Sequence, residues 1–194
     1  MLPISDDNRG RTRQPIVTWV LIAVNILIYA YQWTLDDRNL LSFLDQWATV
    51  PAEVSSGQAL FTLVTCAFLH GSWFHLGSNM LFLWDFGDNV EDVMGHAKYI
   101  IFYLLTAAGA SYAQVLINPD SRVPLVGASG AVSGLLAGYI VLFPHGKIQT
   151  LIFLGIFVTT TMIPAWVMIG YWIVIQVISG VGSLSMIDEQ TGGV

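Results

Sequence analysis

The chain has 194 residues, 55% of them hydrophobic and only 10% charged, with a formal net charge of −6 and a mean hydropathy of +0.65. This is too apolar for an ordinary soluble domain, and the acidic balance argues against a nucleic-acid partner. A single cysteine, Cys66, excludes an internal disulfide and any multi-cysteine metal site, leaving a small packed side chain.

Residues 1–14 form a short polar tail. A membrane span takes about 20 apolar residues. Five runs approach that length: Ile16 to Trp33, Trp73 to Phe86 with a polar continuation, Tyr99 to Ile117, Val126 to Phe143, and Ala165 to Leu184. The first is too long for a cleaved signal peptide, and no small-residue cleavage pattern follows it. Between the first two runs, residues 34–72 make a long connection with Pro51 and Ser55-Ser56-Gly57, of a length that is usually functional or partly structured. Ser72 stands where it can cap the second span. Asn118 to Pro124 is rich in turn residues and separates the third and fourth spans. The stretch 148–163 is apolar but carries Gln149 and Thr159-Thr160-Thr161 and stops at Pro164. It reads as a segment at the inner interface or packed on the bundle, because a full span there would reverse the next helix. Asp188 to Val194 is a polar tail. The expected fold is therefore all-α, a polytopic membrane helix bundle, with residues 15–194 as one membrane domain after the tail.

Orientation follows from Lys and Arg in the short flanks. Arg9, Arg11 and Arg13 precede the first span and place the N-terminus in the cytoplasm. Alternation then puts Lys98 and Lys147 inside, and Arg38 and Arg122 outside. Trp19, Trp33, Trp47, Trp73 and Trp84 fall near the expected borders, as interface anchors do. No internal repeat of the kind found in many transporters is present.

Polar side chains inside membrane runs mark function. His75 and Asn79 are four apart and share a helix face, which Leu83, Gly87 and Glu91 continue. Asn supplies amide donors and His can supply an N–H, so the pair can surround a developing oxyanion. Ser129 sits in Gly127-Ala128-Ser129-Gly130 at a helix mouth, where free N–H groups and the positive dipole end favour negative charge. Both helices start from the outer side, which puts His75 and Ser129 at similar depth. Gly130, Gly134 and Gly138 form a small-residue face for close helix packing, and Gly87 is a candidate for the same contact from the second span. Glu91 belongs near the inner interface, fixing loop or helix ends. Asp85 and Asp88 read as wet border residues, Asp120 as a turn residue, and His70 as ordering the end of the long connection. No metal or other cofactor is expected: the four histidines are split between membrane sides and no H-E-x-x-H is present.

These residues resemble the rhomboid intramembrane serine proteases. The resemblance rests on Gly127-Ala128-Ser129-Gly130, on His70-Gly71-Ser72-Trp73-Phe74-His75-Leu76-Gly77-Ser78-Asn79 with its H-x-x-x-N pair, and on the spacing of Leu83, Gly87 and Glu91. It implies a serine endopeptidase with about five of the six core helices present. Ser129 would be the nucleophile, with His75, Asn79 and the Ser129 N–H as oxyanion donors. Its substrates would be transmembrane proteins, its active site would open toward the outer side, and a bacterial-type cell membrane would be its home. The family's base histidine lies in a last helix that would begin near Thr191-Gly192-Gly193-Val194. No histidine follows His145, so that base is expected beyond Val194 and the chain reads as incomplete. The alternative is a rhomboid-like protein that binds transmembrane helices without cleaving them. A transporter or channel would need an ionisable pathway across the bilayer, whereas the polar residues here cluster near one side.

Overall fold

A computed structural model describes residues 1–6, 12–154 and 157–177. Arg9, Arg11, the end of the fifth apolar run and the tail Asp188 to Val194 lie outside the described residues. The chain divides into two units, Asn8–Leu142 and Met1–Asp7 with Phe143–Val194.

The first unit is helical. It comprises α1 (Ile16–Thr34), α2 (Asp37–Trp47), α3 (Pro51–Ser55), α4 (Thr62–Thr65), a 3-10 turn (Cys66–Phe68), α5 (Trp73–Met94), α6 (His96–Ile117) and α7 (Ser129–Leu142). Both α1 and α6 are long and apolar enough to cross a membrane. Their outward side chains are apolar and bare, with Leu27 68% and Ile117 76% exposed. That suits a solvent of lipid tails, where side-chain burial is not needed and every backbone group must be satisfied within the helix. The long connection is built from α2, α3, α4 and the 3-10 turn. Asp36 caps α2 by accepting from the Asn39 N–H at 2.8 Å, and Pro51 starts α3, where its missing N–H costs nothing.

Helix α5 runs through the polar continuation, and Gly95 at φ +75° turns the chain directly into α6. Its buried side includes Leu76, Asn79, Met80, Leu83, Phe86 and Val90. Phe86 meets Tyr139 of α7 edge-on, with ring centroids 4.9 Å apart. The glycine row of α7 lies on α6. A Cβ at Gly130 would stand 2.5 Å from Ala110 Cβ, one at Gly134 would run into the Thr106 side chain, and one at Gly138 would reach the Phe102 ring tip at 3.2 Å. Residues 102, 106 and 110 repeat the spacing of four, so two matched helix faces meet.

Gly87 does not face α7 as the sequence suggests. A Cβ there would meet Tyr99 Oη at 2.7 Å and Thr18 at 3.0 Å, so Gly87 admits α6 and α1 instead. Glycine spacing reveals a close approach but not which neighbour makes it. Asp85 and Asp88 are also not wet: they are 4% and 8% exposed, because α5 stays inside the bundle where its sequence turns polar.

At the far end of α5, Glu91 has no exposed side-chain surface. Its carboxylate accepts from the Val17 N–H, the Thr18 N–H and the Thr18 hydroxyl at 2.7 to 2.8 Å. His96 Nδ1 lies 2.6 Å from the same carboxylate. Asp92 takes the N–H groups of Thr12 and Arg13 and the Thr12 hydroxyl. The Arg13 guanidinium donates to the Asp92 carbonyl. Two adjacent carboxylates thus collect the unpaired N–H groups of the segment that enters α1.

The second unit holds a three-stranded antiparallel sheet in the order β1 (Leu2–Asp6), β2 (Lys147–Leu154), β3 (Phe157–Pro164), followed by helix α8 (Ala165–Val177). Lys147 pairs with Pro164 and Leu154 with Phe157. The ambiguous stretch 148–163 is therefore a β-hairpin and not a helical span. Its β-branched content, Ile148, Thr150, Ile152, Val158, Thr159-Thr160-Thr161 and Ile163, favours strand over helix. Within the N-terminal tail, Leu2–Asp6 pairs with β2, with a register break between Pro3 and Ser5. An edge strand tolerates Pro3, which has no N–H to donate.

Candidate active site

The site is assembled from the start of α5, the loop before α7 and the end of the long connection. Ser72, at φ −162°, caps α5 by accepting from the His75 N–H at 3.1 Å. One turn on, Asn79 is fully buried, and its Nδ2 donates to the His75 carbonyl at 3.1 Å. An amide nitrogen carries two hydrogens, so one remains for another acceptor. The Asn79 Oδ1 has no hydrogen-bond partner among the described residues.

The loop leading to Ser129 is held by the long connection. Thr49 and Leu125 exchange both backbone hydrogen bonds, at 3.2 and 2.8 Å, and Ala52 N–H donates to Ser121 at 3.0 Å. The Gly127 N–H donates to the Cys66 carbonyl at 2.9 Å. Gly127 stands at φ +122°, a conformation side chains rarely adopt, and the helix opens at Ser129, at the helix mouth where the sequence places it, three residues into the apolar run from Val126. Ser129 is half-buried. As the first helical residue, its N–H has no acceptor in its own helix.

His75 meets this loop directly. A Cβ on Gly127 would lie 2.5 Å from His75 Cε1 and 2.6 Å from Nε2. The imidazole thus rests against backbone two residues before Ser129, at the same level of the bundle. His96 is held by Glu91, sixteen residues along α5 from His75, or about 24 Å at the helical rise.

Two residues around the site do more than the sequence reading gave them. Gln32 of α1 is 5% exposed and grips the backbone of His70 on both sides. Its Nε2 donates to the His70 carbonyl at 3.2 Å, and its Oε1 accepts from the His70 N–H at 3.1 Å. Cys66 does more than fill space, since its carbonyl holds Gly127 and its Sγ lies 3.1 Å from Ser111 Oγ. A polar Gln near the end of the first apolar run was a legible signal for Gln32. Nothing in the sequence singles out a backbone carbonyl such as that of Cys66.

A bundle of apolar helices with a serine at a helix mouth, approached by a histidine from a neighbouring helix, defines a class of membrane-embedded helical protein. Comparison with known proteins names the family. The Rhomboid domain family model matches residues 57–191. Rhomboid-like protein 11, chloroplastic, of Arabidopsis thaliana is 32% identical over 82% of this chain and 55% of its own length. Rhomboid protein 1, mitochondrial, of Saccharomyces cerevisiae is 27% identical over 74% of this chain and 41% of its own. Presenilin-associated rhomboid-like protein, mitochondrial, of Homo sapiens is 26% identical over 72% of this chain and 36% of its own. The chain belongs to the rhomboid family, and with it to the membrane-embedded proteins. It spans between about a third and just over half the length of these relatives. Their names carry mitochondrial and chloroplastic addresses, which lend no support to a bacterial-type cell membrane.

Proposed function

We propose that the chain carries the nucleophile and the oxyanion donors of an intramembrane serine endopeptidase that cuts peptide bonds in or near the transmembrane helices of its substrates. The observation that carries this reading is the packing of the His75 imidazole on Gly127, beside Ser129. The Ser129 hydroxyl attacks the scissile carbonyl. As the C–O bond forms, the carbonyl oxygen gains negative charge. The Ser129 N–H, the second Asn79 amide hydrogen and an N–H of His75 lie around that oxygen and stabilise it in a site of low dielectric. The serine proton passes to a general base, the role that the family resemblance gives to a histidine of a last helix. The amine leaves with that proton, and water then hydrolyses the acyl-enzyme. The N-terminus faces the cytoplasm and the site opens toward the outer side, in keeping with the Lys and Arg distribution. No metal or other cofactor takes part.

The test is cleavage of a single-span substrate by the complete gene product in proteoliposomes. Cleavage by the wild type and none by Ser129→Ala is the expected result. Binding of the substrate helix without cleavage by the wild type would establish the non-catalytic reading instead.

A further inference from the structure

His70 has a buried ring in the connection just before α5, 1% exposed. Desolvation, and secondarily the neighbouring His75, lower its pKa to about 3, so the ring is neutral at all ordinary pH. A neutral buried imidazole is an expensive way to end a loop, since an apolar residue would fill the space without desolvating a polar ring. Its position is set from outside its own segment, because Gln32 of α1 holds its N–H and its carbonyl together. Tyr29, one turn earlier on α1, stands edge-on behind it with ring centroids 6.4 Å apart. In front, the His70 ring meets the His75 ring at 5.1 Å and 71°. The His75 ring is therefore in contact with two neighbours, the His70 ring and the residue Gly127, whose missing side chain leaves it room. A histidine has two rotatable side-chain bonds, and an oxyanion donor works only when both are fixed before the reaction.

We propose that His70, held by Gln32 and backed by Tyr29, is a positioning residue that fixes the ring orientation of His75. The inference rests on the endopeptidase reading above, with His75 as an oxyanion donor. His70 touches no substrate; its flat ring acts through His75 alone.

The test is a double-mutant cycle on the complete gene product in proteoliposomes, read as kcat and KM for a single-span substrate. His70→Ala is expected to lower kcat about tenfold with KM nearly unchanged, and His70→Phe, which keeps a flat ring, to restore most of it. In a His75→Ala background, His70→Ala is expected to cost less than about twofold more, because the group it positions is gone. Should His70→Ala fail to fold, Gln32→Met removes both clamping bonds. It should give a smaller kcat loss that likewise vanishes in the His75→Ala background. A full additional loss in that background, or His70→Phe as poor as His70→Ala, would overturn the inference. Ser129→Ala run alongside keeps the two failures apart: its continued cleavage would sink the endopeptidase reading, whereas Ser129-dependent cleavage with additive losses sinks only the role of His70.

Discussion

The imidazole of His75 occupies the space that a side chain on Gly127 would need: a Cβ there would come within 2.5 Å of Cε1 and 2.6 Å of Nε2. Residues 52 apart in sequence thus meet through the one residue type that permits it. Gly127→Ala therefore carries two penalties, a displaced imidazole and a side chain at φ +122°. We expect kcat to fall at least about tenfold, with a stability loss of about 1 kcal/mol from the backbone strain. Steady-state cleavage and thermal unfolding of the same preparation check both; unaltered kcat would mean that His75 does not need its present place.

His75→Ala and Asn79→Ala should both slow turnover, the first more strongly. Loss of one oxyanion donor costs about 10²–10³ in rate, and less where donors are redundant. Asn79 already spends one amide hydrogen on the His75 carbonyl, so its loss also loosens the turn that carries His75. Normal kinetics for both variants, in folded protein, would defeat the oxyanion assignment.

Gly134→Val should destabilise the bundle by about 1–3 kcal/mol, the range for overfilling a packed interface. The branched side chain would run into Thr106 where α7 lies on α6. Gly138→Ala should cost less, because it meets only the ring tip of Phe102, at 3.2 Å. Equal stabilities for the two variants in detergent would contradict this contact.

Much of the bundle was legible because membrane helices announce themselves by length and hydropathy, and α1, α5, α6 and α7 begin and end near the expected borders. The pairing of α5 with α7 was legible from His75, Asn79 and Ser129, since polar groups in lipid need a shared purpose. What was not legible lies in choices between neighbours. The spacing of Gly87 promises a close contact but cannot say that Thr18 and Tyr99 make it. Asp85 and Asp88 look like border residues because charge is read one residue at a time, whereas their burial is decided by the helices around α5. The hairpin of β2 and β3 hides in an apolar stretch whose length permits either structure; only its β-branched residues lean toward strands.

Glu91→Gln should lower stability by about 2 kcal/mol, as loss of charge-assisted bonds to a buried carboxylate does. That carboxylate serves the entry to α1 and His96 together. It stands sixteen residues from His75, about 24 Å along α5, so kcat of the folded fraction should stay at the wild-type value. A fall in kcat without loss of stability would show that Glu91 reaches the site by a route the packing does not show.

Ser129 as an activated nucleophile is the point on which the proposed function stands. The most direct measurement is to treat the complete gene product in a bilayer with a serine-reactive fluorophosphonate and locate the adduct by mass spectrometry. A single adduct on Ser129 is expected, formed more slowly in His75→Ala and absent in Ser129→Ala. An adduct on another serine, or none in a protein that still binds transmembrane helices, would contradict it.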